Sequence, residues 1–413
     1  MVYGVIFILV AATMVVEINL IGRLLLAEVV LAGILPFTII FSGPKNSWRI
    51  GPLAKHFYYF VGLWFLGAVI TDVIQNTPPD NIARGWSKII FFTINFTAII
   101  FLVKGKIRSV IFLVFMIFVA SAVRLRLDID QSGIGGDTFG AAWKFGYGHL
   151  LTVATFLLAS RLVSNPLTRS VGLCLPFIDA LLNIALNARN LFGLSALAGL
   201  ALALTTVRRR PLSPARIGMV GLTAVFAGWA MVSAYGYAAS SGLMGLEAQE
   251  KYEKQSAGNL GILLGGRTES LASTQAIIDS PIIGHGSWAR DIRYVEIMVS
   301  RLEQAGYEIS GDPFTDDLIP SHSHLLGAWV EAGILGALFW IWAGWVTVRG
   351  LYASLASPTP YTGFVVFVAL SFLWDIMFSP FGLEGRVMTP ALLVLMMLVI
   401  EADKSKHLEG GKP

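Results

Sequence analysis

Long, uninterrupted apolar runs constrain this chain more than any other feature of its sequence. A run of about 20 residues can cross a hydrocarbon layer of roughly 30 Å, where the backbone must satisfy its own hydrogen bonds by forming a helix. About twelve such runs begin near residues 3, 24, 56, 85, 109, 145, 170, 190, 216, 322, 361 and 389. The sequence therefore predicts an all-α fold, a polytopic integral membrane protein.

The composition agrees with that class and excludes several others. Of 413 residues, 55% are hydrophobic and 14% are charged, and the mean hydropathy is +0.70. The formal charge of +4 comes from basic residues spread over short connections, so no nucleic-acid partner is expected. The chain has a single cysteine, Cys174, which excludes a disulfide and a CxxC metal site. It has no phosphate-binding loop of the ATPase or dinucleotide type, and no cofactor is predicted.

The runs divide the chain into four parts. Residues 1–239 hold the predicted spans one to nine, and 240–321 form one long polar connection. Residues 322–403 hold spans ten to twelve, and 404–413 form a cytoplasmic tail.

Lysine and arginine fall on alternate connections, and this predicts the orientation by the positive-inside rule. The side rich in them, predicted to be cytoplasmic, carries Lys45, Arg49, Lys55, Lys104, Lys106, Arg108, Arg161, Arg169, Arg208, Arg209, Arg210, Arg216, Arg349, Lys404 and Lys406. The opposite, extracytoplasmic side receives the segment 125–144, the turn holding Arg189, the 240–321 connection and the stretch PFGLEGRVMTP.

Five carboxylates fall within the predicted spans, and a solute transporter would use such groups. They are Glu17, Asp72, Asp179, Glu331 and Asp375. For each one alone, hydrogen bonding at a helix end or within the bundle is the favoured interpretation.

The long connection is predicted to be folded. Leu271, Ile277 and Ile278 indicate a short amphipathic helix that ends at Pro281 and the turn at 284–286. A second amphipathic helix is predicted from 293 to 305. Helices of this kind lie against a membrane or cover a cavity.

Two arginines on the extracytoplasmic side are candidates for binding a diphosphate. Arg267 follows two glycines, where the backbone can approach a ligand and a guanidinium can hold two phosphate oxygens. Arg189 stands at the head of an apolar span, against the positive-inside trend. The alternatives are an arginine that reaches the lipid head groups for Arg189 and a solvated loop residue for Arg267. Arg290 and Arg293 are further basic candidates, for which a surface position is preferred.

Two histidines occur in IPSHSHLLGAWVEAGILG, residues 319–336. Pro320 and Ser321 predict a helix start that places His322 and His324 in its first turn. A neutral imidazole there can accept a proton as a general base, and the alternative is a hydrogen-bonded anchor at the interface. Residues two positions apart on a helix point about 200° apart around its axis, so only one of the two rings can face a given cavity.

A metal site is the rival interpretation of the same region. Asp312, Asp316 and Asp317 precede His322 and His324 and could supply oxygen and nitrogen ligands to zinc or manganese. The divergence of the two rings disfavours chelation. The aspartates are more simply explained as partners of the helix N-terminus or as solvated loop residues, and no metal is predicted.

The segment HSHLLGAWVEAGILG has a spacing of His, Leu four residues later, Glu nine residues later and then Gly, at His322, Leu326, Glu331 and Gly333. This spacing resembles a motif of the O-antigen ligase and O-antigen polymerase superfamily, which are bacterial membrane glycosyltransferases. Ser323 stands where that motif usually has Asn.

Two more segments resemble motifs of the same superfamily. GGRTESLASTQAIIDSPIIGHG is similar to its Gly-Arg, amphipathic helix and Pro-apolar-apolar-Gly-x-Gly sequence. The matching residues are Arg267, Pro281, Gly284 and Gly286. LNARNLFGLSALAGLALAL resembles its arginine at the head of a span, which is Arg189 here, with Ala188 in place of a common Ser. The resemblance covers residues 170 to 340 well and the first five spans by hydropathy only.

The resemblance implies a helical bundle in the bacterial inner membrane, with a periplasmic active site and a glycan donor carried on undecaprenyl diphosphate. Among its members, the ligases, which transfer O-antigen to the lipid A core, are our choice, because the chain is compact with one main periplasmic loop. We expect His322 to be the general base and Arg189 and Arg267 to bind the diphosphate. Arg290 and His324 are expected to contact substrate. An O-antigen polymerase, a protein O-oligosaccharyltransferase and, more distantly, a twelve-helix solute transporter remain alternatives.

Overall fold

The structure is a computed structural model. It describes residues 2–20, 22–42, 51–127, 139–208, 269–304 and 316–410, with short pieces between 215 and 253 and residue 314. Two strands, β1 (Glu17–Leu20) and β2 (Gly22–Leu25), accompany the helices. The helices in these ranges are α1 (Val2–Met14), α2 (Leu26–Ser42), α3 (Gly51–Ile74), α4 (Pro79–Val103), α5 (Ile107–Arg126), α6 (Phe139–Ala142), a π-helical turn (Trp143–Tyr147), α7 (Gly148–Leu162), α8 (Arg169–Ala185), α9 (Arg189–Arg208), α10 (Glu269–Asp279), α11 (Ile292–Gln304), α12 (His324–Ala356), α13 (Thr362–Phe378) and α14 (Gly385–Gly410).

The predicted helical, membrane-embedded class is confirmed in its coarse form. In the described ranges, six helices are long and apolar enough to cross a membrane, namely α3, α4, α5, α9, α12 and α14. Helices α1, α2 and α13 are apolar but shorter. The run predicted to begin near residue 216 falls mostly outside the described residues. Twelve spans, and the assignment of 240–321 to a periplasmic loop, therefore stay predictions.

The sequence interpretation was wrong between the first two helices, where the chain forms an antiparallel hairpin. Glu17 pairs with Leu25 in register, and Gly22 follows the tip with a φ of +77°. Glu17 is therefore on a strand and not within a span. Its carboxylate accepts a hydrogen bond from Arg124 at 3.2 Å, which ties the hairpin to the end of α5.

One end of the bundle collects the hairpin and several helix ends. Arg124, in the last turn of α5, donates to Met14 O at the end of α1. Arg386, at the start of α14, donates to Arg23 O on β2. The indole of Trp143 donates to the side chain of Asn183 near the end of α8. This is the end that the charge distribution predicts to be extracytoplasmic.

Helix α12 is broken in its first third, at Ala332 and Gly333, and this break organises that end of the bundle. Ala332 has φ −126° and ψ 17°, and Gly333 has φ 61° and ψ −157°, a conformation that a residue with a side chain rarely adopts. The break frees backbone groups that an unbroken helix would pair internally. In a membrane such groups must find partners within the protein.

The segment after α10 supplies those partners. The amides of His285 and Gly286 donate to Val330 O at 2.7 Å and Glu331 O at 3.2 Å, and the Ile334 amide donates to Ile282 O at 3.2 Å. We call residues 282–286 together with 330–334 the loop–helix junction.

The junction is also fixed to the end of α3. Gln75 donates through its side-chain amide to Gly284 O at 2.8 Å, and the Thr71 hydroxyl donates to Ile283 O. The carboxylate of Asp72 accepts hydrogen bonds from the Ser287 amide at 2.7 Å and from the Trp86 indole at 2.8 Å. Asp72 thus has the structural, hydrogen-bonding role that the sequence favoured.

The two amphipathic helices predicted after residue 267 are confirmed as α10 and α11. Ala272 and Ala276 of α10 pack with Tyr294 of α11 in a small apolar cluster that includes Val330 of α12. The Tyr294 hydroxyl donates to Asp279 at 3.0 Å. Burial and the neighbouring Asp279 carboxylate raise the pKa of Tyr294 to about 12. The α10–α11 pair is therefore a folded layer on α12.

Replacing Gly333 with alanine tests the junction. A methyl group there would overlap Ile282 O, and the backbone conformation disfavours any side chain. We expect Gly333→Ala to lower the free energy of unfolding by about 2 kcal/mol or more, measured by denaturation of the purified protein.

Gly344→Ala is the matched control on the same helix. A Cβ at Gly344 would meet only Ile376, at an ordinary 3.9 Å. Equal stability of the two variants would contradict the junction as described.

Candidate functional site

Helix α12 begins later than the sequence indicated. Ser323 is its N-cap, with an extended backbone (φ −154°, ψ 135°), and its hydroxyl accepts a hydrogen bond from the Leu326 amide at 3.1 Å. His324 is the first helical residue, and His322 precedes the helix. His324 therefore lies in the first turn, as the sequence predicted, and the placement of His322 there was wrong. Serine and asparagine are both good N-caps, so Ser323 preserves the capping that Asn would provide.

The two imidazoles nevertheless diverge. His324 is buried, its Nδ1 lies 2.6 Å from Ser379 O, and its ring packs edge-on against Trp340 and Phe381. His322 is 45% exposed, and its Nδ1 lies 3.4 Å from a carboxylate oxygen of Glu269, at the start of α10. The divergence expected from the sequence is found, but it comes from the capped helix start and not from helical spacing.

Two adjoining cavities open at this end of the bundle. The first, about 170 Å³ in volume, we call the histidine cavity, and its walls include His324, Lys88, Glu331, Trp340 and Ser321. The second, about 470 Å³, we call the arginine chamber. It is lined by Asn19, Leu20, Gly22, Arg23, Arg84, Ser87, Lys88, Trp288, Phe381, Gly382, Leu383 and Arg386. Lys88, Trp288 and Phe381 line both, so the two cavities share one wall.

In the histidine cavity, an ion pair joins α4 to α12. Lys88 and Glu331 bind each other with side chains only 15% and 22% exposed. The Glu331 carbonyl is the one that accepts from Gly286 in the junction. The buried indole nitrogen of Trp340 has no hydrogen-bond partner among the described residues. The cavity thus offers a paired cation and a carboxylate beside the ring of Trp340.

His324 has a defined tautomer in this arrangement. A backbone carbonyl can only accept a hydrogen bond, so Nδ1 of His324 is protonated and donates to Ser379 O. In the neutral ring, Nε2 is then left as a hydrogen-bond acceptor. His324, expected from the sequence to contact substrate, does line a cavity. His322 does not line it, although its neighbours Ser321 and Ser323 do.

The arginine chamber was not foreseen from the sequence. Three of its four cations bind carboxylates: Arg23 binds Glu17 at 3.5 Å, Arg386 binds the buried Glu28 at 2.8 Å, and Lys88 binds Glu331. Arg84 stands over the ring of Trp288, 6.0 Å from its centre. The lining residues come from separate parts of the chain, and only Arg84 and Lys88, four residues apart on α4, are linked by their spacing in the sequence.

Trp288 forms part of the wall that the two cavities share. Its φ of +52° is unusual for a bulky residue and is held because the preceding Ser287 amide and hydroxyl both bind Asp72. A strained backbone conformation that the surroundings enforce is common at functional sites. The only sequence signal was the Gly-x-Gly-Ser turn immediately before it.

The two arginines predicted to bind a diphosphate are placed differently. Arg189 is the first residue of α9 and is partly buried. The turn before it contains Asn187, whose backbone is left-handed (φ +59°). It lies at the same end of the bundle as the cavities but lines neither of them. Arg267 lies outside the described residues. Two positions after it, Glu269 contacts His322.

Arg290 and Arg293 are surface residues, as preferred from the sequence. Arg290 binds Asp316 at 3.0 Å and also Asp317, and Arg293 binds Asp291. The nearby guanidinium of Arg293 holds the pKa of Asp291 below its usual range. Asp316 and Asp317 are exposed loop residues, as one of the two expectations had it, with side chains 60% and 48% exposed. The sequence did not predict that both would pair with Arg290.

The metal interpretation needs these aspartates to meet the histidines. In the ranges that the structure describes, no three side chains among His, Cys, Asp and Glu cluster closely enough to hold a metal ion. Asp312 lies outside those ranges. His324 is turned towards Ser379 and His322 towards Glu269, which separates the two rings.

Comparison with known proteins gives no assignment of function, so the function is argued from the site. No protein-family model matches the chain, and no curated protein is significantly similar to it in sequence.

A double-mutant cycle tests the Lys88–Glu331 pair. Removing one partner leaves a poorly solvated charge without a counter-ion. The double variant of Lys88→Met and Glu331→Gln should therefore lose less stability than the sum of the losses in the two single variants. We expect a coupling free energy of about 1 to 3 kcal/mol by denaturation.

The exposed pair of Lys404 and Glu401, at 2.8 Å on α14, is the control. Exposed pairs couple by less than about 1 kcal/mol. A coupling of zero between Lys88 and Glu331 would show that the pair does not join α4 to α12.

Proposed function

We propose that the chain is a membrane glycosyltransferase of the O-antigen ligase type. It moves a glycan from undecaprenyl diphosphate to a sugar hydroxyl of the lipid A core, at the periplasmic face of the bacterial inner membrane. The reaction needs no metal ion.

One observation carries the proposal: two separate segments that resemble the superfamily are in direct contact. Gly284 and Gly286 of the first segment meet Gly333 and its neighbours of the second in the junction. His322 of the second segment meets Glu269, which follows Arg267 of the first. The two segments lie between residues 265 and 336, and they would have no reason to meet in space if their resemblance were accidental.

His322 is the general base in this proposal. The acceptor hydroxyl oxygen attacks the anomeric carbon as its proton passes to the imidazole, and the bond from that carbon to the diphosphate breaks. The electron pair leaves with undecaprenyl diphosphate, and the anomeric centre is inverted in one step. Glu269 lies beside Nδ1 of His322 and favours the tautomer that leaves Nε2 free to accept the proton.

Arg189 and Arg267 bind the donor diphosphate and stabilise its charge as it departs. Guanidinium groups pair with phosphate oxygens in a planar, two-pronged geometry. The placement of Arg189 at the cavity-bearing end of the bundle supports its part in this.

The acceptor separates the ligase from its relatives. An O-antigen polymerase or a protein O-oligosaccharyltransferase would use the same donor and base. Incubating purified protein and lipid-linked glycan with lipid A core, with a second lipid-linked glycan or with a peptide distinguishes the three. We expect product with lipid A core, and product with only one of the others would reassign the acceptor.

A solute transporter is the second candidate, and the broken helix α12 is the observation that favours it. Discontinuous helices form substrate sites in many transporters, and the Lys88–Glu331 pair lies beside the break. Uptake of a soluble substrate by liposomes containing the pure protein, without glycan transfer, would favour this candidate.

The base is tested by comparing the two histidines. His322→Ala should reduce glycan transfer by at least about a hundredfold while leaving the unfolding temperature unchanged, because the ring is half exposed. His324→Ala should retain more activity and unfold at a lower temperature, because it empties space beside Trp340 and Phe381. A folded, active His322→Ala beside an inactive His324→Ala would assign the base to His324.

The diphosphate residues are tested by substitution with lysine. Arg189→Lys and Arg267→Lys keep the charge but lose the planar geometry, so turnover should fall by an amount equivalent to about 2 to 4 kcal/mol. Arg293→Lys, at the surface, is the control and should transfer glycan like the unchanged protein. Wild-type rates in both Arg189→Lys and Arg267→Lys would refute the assignment.

A further inference from the structure

One cation of the arginine chamber, Arg84, has no carboxylate partner in the part of the chain that the structure describes. Among the described residues, Arg84 forms no ion pair, whereas Arg23, Lys88 and Arg386 each bind a carboxylate. Its side chain is exposed, with its stem over Gly22 at the hairpin turn and its guanidinium over Trp288. The charge of Arg84 is therefore held in place and available.

The position of Arg84 is built by several elements. A Cβ on Gly22 would lie 3.2 Å from Cγ of Arg84, so the glycine leaves room for the arginine stem. Trp288, on the other side, is fixed in its left-handed conformation by the bonds of Ser287 to Asp72. Ordering a long side chain in advance lowers the entropy lost on binding.

The chamber has the size and charge for a phosphorylated sugar. Its volume of about 470 Å³ lies within the range of small-molecule sites. Two further guanidinium groups and an ammonium group line it, although their charges are shared with carboxylates. Arginine presents its N–H donors in a planar fork that binds two phosphate oxygens at once, and a phosphate monoester carries more negative charge near pH 7 than a carboxylate does.

The chamber also lies beside apolar surface. Leu20, at the hairpin tip, is 76% exposed, and Leu383 lines the same chamber. A ligand with a charged head and an apolar tail would find both surfaces here.

We propose that the arginine chamber binds a phosphate group carried by a lipid, with Arg84 as its principal contact. This rests on the proposed function, which brings a glycolipid acceptor to this end of the bundle, and it concerns a phosphate other than the donor diphosphate assigned to Arg189 and Arg267. The phosphate belongs either to the acceptor saccharide or to a phospholipid head group.

Binding, rather than turnover, tests the proposal. The full chain in phosphatidylcholine nanodiscs is titrated with glucose 6-phosphate, glucuronate and glucose, and binding is followed by saturation-transfer NMR. The three probes share a sugar ring and differ in charge. We expect glucose 6-phosphate to bind most tightly and Arg84→Gln to weaken it by at least about tenfold.

Arg349→Gln is the matched control. Arg349 also stands over a tryptophan ring, that of Trp345 at 5.5 Å, but it lies near the far end of α12. It should bind the sugar phosphate as the unchanged protein does. Arg84→Lys, which keeps the charge, should bind with intermediate affinity.

The source of the phosphate is found by adding phosphatidic acid to the nanodiscs. Displacement of glucose 6-phosphate from the unchanged protein supports a lipid head group as the natural ligand, and no displacement supports a saccharide phosphate. Equal binding by the unchanged protein and Arg84→Gln would overturn the proposal, and so would equal affinity for glucuronate. Because no glycan is transferred in this assay, its failure is distinct from a failure of the proposed transfer reaction.

Discussion

The backbone exchange between the loop after α10 and the broken helix α12 is the constraint on which the rest of this end depends. A helix broken inside an apolar bundle must find other partners for its N–H and C=O groups. Ile282, His285 and Gly286 provide them, and α3 holds the loop in place through Gln75 and Asp72. The same exchange orients Glu331 towards Lys88 and sets Trp288 between the two cavities.

The charges at this end fall into two groups with different physical roles. Arg124 and Arg386 are buried, and each joins helix ends through carboxylates and carbonyl oxygens. Their burial would be costly without those partners, so they act as structural links. Arg84 and His322 are instead exposed and held at cavity or loop edges. Groups placed in that way remain available to bind or react with a ligand.

The sequence predicted the helices, which depend on local apolar patterns, and it did not predict the contacts between distant segments. Apolar periodicity predicted α10 and α11, and hydropathy predicted the membrane helices, because both properties are local. The hairpin at Glu17 was missed because four-residue strands carry almost no periodic signal. The start of α12 was placed too early because Pro320 resembled a first helical residue, whereas the Ser323 side chain makes the cap.

Spatial assembly accounts for the parts of the site that were not predicted. Arg84 and Trp288 are distant in sequence, and their contact depends on the bond of Asp72 to Ser287. The Gly284–Gly333 contact links two motifs that are separate in the sequence. Spacing within a motif cannot show which motifs meet, so the junction could be described only from the fold.

The anomeric configuration of the transferred sugar tests the central claim most directly. Purified protein, lipid-linked glycan and lipid A core are combined, and the new glycosidic linkage is examined by NMR. Attack by a hydroxyl activated by His322, on the side opposite the departing diphosphate, predicts a linkage inverted relative to the donor. A retained configuration would require a covalent glycosyl-enzyme and would contradict the account, as would the absence of any product with a competent donor and acceptor.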